Sequence, residues 1–315
     1  MSNPENLKVT EVVSIAVVLI CCFAASLGMA FNIDGIKESF NLTNAHAGRL
    51  ISLEMFSIAV GNFFFARLTH KTKSKTVFFI GASVILFFNL LSILATEPLH
   101  LAFFRIPAGL ALGAVAATCA GRIAKSDKPD LNFGAINSAV GFMGVFMAFA
   151  LPRALHLDFP VTSSLSLTGI DGLYLVYGLC ALFALLVVSL TPSDQPKKFQ
   201  AQHKSSKTLR IGWLALFGIG VMFFGHGTVG IFIVRIGREI GLSSENIGYI
   251  FMVGSSLGII LPLIAGWVGT KIKAFFPILI LVILLAVATL GLSNSNLPWQ
   301  YFLAVPIFAT LPTAI

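Results

Sequence analysis

Charged side chains are scarce in this sequence. Asp, Glu, Lys and Arg fill 11% of its 315 positions, where a soluble domain carries about 25%. Cysteine is equally sparing. Cys21, Cys22, Cys119 and Cys180 are the only four, and no two form a C-x-x-C pair. That excludes a metal knuckle and a dithiol redox motif. All four lie inside apolar stretches and read as small core hydrophobes. No Walker A loop, H-E-x-x-H helix or G-x-S-x-G elbow occurs, so nothing points to ATP hydrolysis, zinc hydrolysis or a serine nucleophile. The sequence calls for no cofactor and no metal, and no enzyme is expected.

What is abundant is apolar surface. Hydrophobic residues make up 57% of the chain, and the mean hydropathy is +0.91. Apolar runs recur at 12–33, 45–67, 76–95, 98–121, 132–152, 173–191, 211–234, 247–268, 274–293 and 298–315. Each approaches the roughly 20 residues that cross about 30 Å of hydrocarbon at 1.5 Å per residue. A lipid-exposed backbone must satisfy its own hydrogen bonds, so each run is expected to be helical. The expectation is an all-α integral membrane protein with ten spans and the lipid bilayer as its solvent.

The net charge of +8 looks at first like a nucleic-acid signal, but its placement is topological. With the N-terminus inside, the inner segments hold fifteen of the 21 Lys and Arg residues; the outer segments hold five, namely Lys37, Arg49, Arg153, Arg235 and Arg238. Arg105 lies within a span. Basic residues stay on the cytoplasmic side, so a cell (inner or plasma) membrane location with a cytoplasmic N-terminus is expected. The long inner connection Thr191 to Leu209 is Lys-rich and carries Pro192 and Pro196, as an exposed linker does. It divides six spans from four. The resulting units are residues 1–191, a linker at 192–209, and 210–315.

An internal repeat supports that division. The inner loop after the second span reads A-R-L-T-H-K-T-K from Ala66 to Lys73. The loop after the eighth reads G-W-V-G-T-K-I-K from Gly266 to Lys273, 200 residues later. Transporters are often built from such repeats, with the solute path between them. With the central basic linker, these loops resemble the major facilitator superfamily, which carries a G-x-L-A-D-R-x-G-R-[KR] motif between helices 2 and 3. Ala66 stands for its first Gly, His70 for its Asp, Lys71 for its Arg and Lys73 for its second Gly, and Lys75 continues the basic run. In the second loop Gly266 and Lys271 match while Thr270 replaces the Asp. Arg105-Ile-Pro-Ala-Gly109-Leu-Ala-Leu-Gly113 looks like the family's R-x-x-x-G-x-x-x-G pattern. The resemblance implies two helical bundles and alternating-access symport or antiport of a small solute, often coupled to protons. It also makes Arg67, His70, Lys71, Lys73, Lys75, Gly266, Thr270, Lys271 and Lys273 candidates for a cytoplasmic gating loop. The family usually has twelve helices, so the run ending at Ile315 is expected to belong to a truncated second bundle, a naturally short form being the alternative.

Three ionisable span residues stand out, since each costs roughly 2.5–3.5 kcal/mol at mid-helix on insertion scales. Glu54 lies roughly 13 Å and Arg105 roughly 10 Å below the outer ends of their spans, at 1.5 Å per residue. They suit either an ion pair or separate roles: Glu54 as proton carrier, Arg105 as a fork for an anionic solute. His226 sits in Gly225-His226-Gly227, where glycine permits close backbone approach. It reads either as an interior histidine or as a coupling residue that titrates near neutral pH. The expected function is secondary transport of a small solute. A transporter-like scaffold without activity is the first rival, and an intramembrane enzyme the second.

Overall fold

The computed structural model describes residues 7–68, 71–156, 158–162, 165–190, 206–269 and 275–314. All ten apolar runs are helical there. The first run is broken into α1 (Val9–Cys22), α2 (Ala24–Leu27) and α3 (Met29–Ser39). Then come α4 (Asn44–Leu68), α5 (Ser74–Ile93), α6 (Pro98–Ile123), α7 (Pro129–Leu155) and α8 (Ile170–Leu190). The last four are α9 (Ser206–Glu239), α10 (Ser244–Gly269), α11 (Phe275–Ser293) and α12 (Pro298–Ala314). Seven of these, α4 to α10, are long and apolar enough to cross a membrane. A short antiparallel hairpin, β1 (Asp158–Thr162) with β2 (Leu165–Thr168), fills the loop between α7 and α8, to which the sequence assigned no structure.

Local chemistry sets the boundaries. Pro98, Pro129 and Pro298 each open a helix, where a missing N–H costs nothing. At the other end of its size range, α9 runs for 34 residues, beyond the roughly 20 that a bilayer needs. It begins at Ser206, inside the stretch read as linker. The break in the first span is the clearest departure from the expected single helix. At Gly28 any side chain would collide with the Tyr177 hydroxyl and Leu151, so the chain bends where α8 and α7 press closest. The buried Asn32 secures the bend, donating from Nδ2 to the Ala25 carbonyl at 3.1 Å and accepting from the Tyr177 hydroxyl at 2.7 Å. Without those bonds a buried amide would be left unsatisfied.

Small residues decide which helices meet. On α6, Gly109 and Gly113 lie one helical turn apart on the face of Arg105 and take the backbone of α4 directly against them. Gly61 of α4 returns the contact against Leu110. Small-x-x-x-small stripes bring helix backbones together in this way. A second such seam joins α7 to α10. Gly141 rests on Gly258, Gly134 on Pro262, and Gly248 on Ala148, while Ser138 donates to the Ile259 carbonyl at 2.6 Å. This seam links the first six spans to the last four. The helix exteriors carry exposed Phe56, Phe63, Phe103, Phe142, Leu186, Phe217 and Ile283, as lipid contact requires.

Candidate functional site

The α4–α6 stripe fixes the first polar feature. Arg105, one turn before Gly109, meets Glu54 on the facing turn of α4. Its Nε donates to Glu54 Oε2 at 3.0 Å, its Nη2 to Glu54 Oε1, and its Nη1 to Asn89 Oδ1 of α5 at 2.6 Å. The guanidinium also lies over the ring of Tyr174 on α8, 5.2 Å from its centroid. Both charged residues are buried, Arg105 at 4% and Glu54 at 6% exposure. The fork-on-carboxylate geometry suits an arginine better than a lysine. The sequence left pairing and separate roles open, and the structure places these two side chains together.

His226 lies elsewhere. It borders a cavity of about 250 Å³ between the two groups of helices. Ser26 and Phe31 line it from the broken first span, Gly144 from α7, Phe251 and Ser255 from α10, and Phe308 from α12. Gly225 and Gly227 have open space where a side chain would go. The His226 imidazole stacks on the Phe308 ring, with centroids 4.2 Å apart and planes at 22°. Two buried polar atoms of the lining, Ser26 Oγ and His226 Nδ1, make no hydrogen bond among the described residues. Neither Glu54 nor Arg105 is among the described residues of the lining.

A third feature closes one end of the same interface. Near the end of α9, Arg238 Nε pairs with Asp34 Oδ2 of α3 at 2.9 Å. Its Nη1 donates to Glu38 Oε1, and its Nη2 to Ser244 Oγ of α10 at 2.6 Å. Asp34 is 2% exposed. Asp34 lies three residues beyond Phe31, itself a cavity residue, so it sits about 4.5 Å past the lining along the helix at 1.5 Å per residue. Beside it, Arg153 of α7 donates to the Tyr249 hydroxyl of α10 at 3.2 Å.

The gating-loop candidates are scattered. Arg67 is exposed, 5.5 Å from the Phe63 ring centroid. Lys71 and Lys73 are exposed. Lys75 donates to the Ser189 carbonyl of α8 at 2.9 Å, tying α5 to α8. Gly266 packs on Asp130 and Gly134 of α7, at the far end of the α7–α10 seam. His70, Thr270, Lys271 and Lys273 lie outside the described residues. Reading the sequence for deep ionisable groups missed Ser26 and the Arg238 cluster. A signal for the latter was present: Glu38 and Arg238 are 200 residues apart, the offset of the two repeated loops. They are opposite charges at equivalent places in the two halves.

The family model described as Major Facilitator Superfamily matches residues 13–314. A bacterial homologue of the human lysosomal transporter Spinster, inward-facing and occupied, shares the fold at a TM-score of 0.70 and 14% identity, over 96% of this chain and 71% of that one. A D-xylose–proton symporter does so at 0.65 and 13% identity, over 97% of this chain and 79% of that one. An inward-facing, unoccupied Spinster homologue aligns at 0.59 and 14% identity, over 98% and 74%. No curated protein matches the chain.

Proposed function

The chain belongs to the major facilitator superfamily, and from that premise we propose that it is a secondary active transporter whose solute path is the cavity between its two helix groups. It is a multi-pass membrane protein and a transporter of the family's type rather than an enzyme. The supporting observation is that side chains from both halves line a single cavity, with Ser26 on one side and His226 and Ser255 on the other. Alternating access needs such a shared site between two bodies that rock against each other. The bodies are the bundle that ends with α8 and the bundle that begins with α9 at Ser206, joined by the segment between them. The N-terminus is cytoplasmic and the membrane is the cell membrane. The Arg238 end is then the outer one, and its ion cluster holds the outer mouth closed.

The coupling ion we propose is the proton, with His226 as its carrier. His226 is the titratable side chain among the described cavity residues, and an imidazole can take up and release a proton at a ring nitrogen. Glu54 is less well placed, since Arg105 engages both of its carboxylate oxygens. That pair we read as structural. The test is accumulation by vesicles holding the purified protein, screened over small solutes under an imposed pH gradient. Accumulation should follow the gradient and collapse with a protonophore. His226→Ala should abolish accumulation while sparing exchange at saturating solute. Accumulation that ignores the pH gradient and requires sodium would end the proton reading.

A further inference from the structure

We infer that the solute is a small neutral molecule with a mostly apolar body and one or two hydrogen-bonding groups; this rests on the cavity being the transport site. Size gives the first limit. A cavity of about 250 Å³ lies below the roughly 300–1,000 Å³ of drug-sized pockets.

Charge gives the second limit. No Asp, Glu, Lys or Arg occurs among the described lining residues. An ion entering there would give up its hydration with no counter-charge to replace it. Asp34, Glu38 and Arg238, at one end of the interface, are engaged with one another, and Arg235 is paired with Glu239. An ammonium solute therefore has no partner in the cavity, and a carboxylate or phosphate has none while His226 is neutral.

Polarity gives the third. The polar side chains of the described lining are Ser26, His226 and Ser255. A polyol would bring more hydroxyls than three groups can meet, and each left unpaired costs about 1–3 kcal/mol on burial. Conversely, Ser26 Oγ and His226 Nδ1 lack partners among the described residues, so the cavity rewards a solute that supplies one or two. A hydroxyl both donates and accepts, and the imidazole nitrogen does either according to its tautomer. The remaining wall is apolar and partly aromatic. Phe308 stacks on His226, and the Phe31 and Phe251 rings stand 6.0 Å apart at 53°. That suits a flat or compact hydrocarbon body.

The test is probe-induced thermal stabilisation of the purified full chain at pH 7.5, with benzamide and benzyl alcohol as neutral probes. Benzoate, benzylammonium and inositol are matched controls of like size. Both neutral probes should raise Tm, and the three controls should not. Ser26→Ala and His226→Phe should each raise the half-saturating benzamide concentration about fivefold, the effect of losing about 1 kcal/mol of hydrogen bonding. Neutral probes that soften the detergent micelle shift wild type and variants alike, so the contrast between them isolates the cavity. Three results would overturn the class: no response to either neutral probe, a response to any control that disappears in His226→Phe, or benzamide half-saturation unchanged in both variants. None of these bears on whether the site opens to both sides of the membrane, which labelling of position 255 decides separately.

Discussion

In the first six spans, Arg105 meets Glu54, Asn89 and the Tyr174 ring, and the partners named for its guanidinium come from three different helices. In the last four spans, His226 is held by a stacked phenylalanine and keeps Nδ1 unbonded beside a cavity. From the sequence these looked like members of one class, rare ionisable groups deep in apolar helices. Hydrogen-bond accounting separates them. A buried polar group bonded by its own protein holds the protein together, whereas one left unbonded against a cavity is available to something that enters. The same contrast holds for the glycines. Gly109 and Gly113 are filled by the backbone of α4, while Gly225 and Gly227 face open space.

The largest effect is expected on the bonded side of that comparison. Arg105→Gln leaves the Glu54 carboxylate buried without its cation, which should cost about 3–5 kcal/mol of stability. Glu54→Gln combined with Arg105→Gln should cost clearly less than the sum of the two single changes. Strictly additive losses in a thermal-denaturation cycle would dissolve the pair and the contrast with it.

The seam between the halves comes next. Gly141→Leu would drive a side chain into Gly258, and overpacking of this kind costs about 1–3 kcal/mol. The expected readout is a lowered Tm together with loss of vesicle accumulation. Full accumulation would show that the close α7–α10 contact is dispensable. Arg238→Gln should then loosen the closed end, because Asp34 and Glu38 lose their shared cation. Labelling of a cysteine at position 255 from that side should quicken about tenfold, equivalent to about 1.4 kcal/mol. An unchanged rate would mean that the cluster does not hold the mouth shut.

The smallest change belongs to the unbonded side. His226→Phe removes an imidazole whose Nδ1 bonds nothing among the described residues, so stability should stay within about 1 kcal/mol of wild type. A large loss of Tm would show that His226 is structural like Arg105.

Much of the fold was legible because hydropathy reports helices long enough to span a bilayer. All ten runs appear as helices among the described residues, while the partner of the Gly109 and Gly113 stripe, α4, is seen only in the structure. The break at Gly28 was not legible, since a single glycine in an apolar run is tolerated within a helix and the side chains packed against this one, Tyr177 and Leu151, come from distant helices. The hairpin at 158–168 lay in a loop with no apolar alternation strong enough to declare strands. Glu54 and Arg105 could be matched by depth and charge. Ser26 could not be found at all, because a serine in an apolar run is ordinary until its missing hydrogen bond is seen. Arg238 was counted as a loop charge, which concealed its pairing across the two halves.

The measurement that bears most directly on alternating access uses Ser255→Cys in oriented vesicles and a membrane-impermeant methanethiosulfonate applied from one side at a time. The native Cys21, Cys22, Cys119 and Cys180 are buried, so an otherwise wild-type chain gives the background. Position 255 should react from both sides. Linking Glu38→Cys to Arg238→Cys with a short reducible thiol crosslinker should abolish reaction from that end alone, and reduction should restore it. Reaction from a single side regardless of the crosslink, or from neither, would contradict a site that opens alternately to the two faces of the membrane.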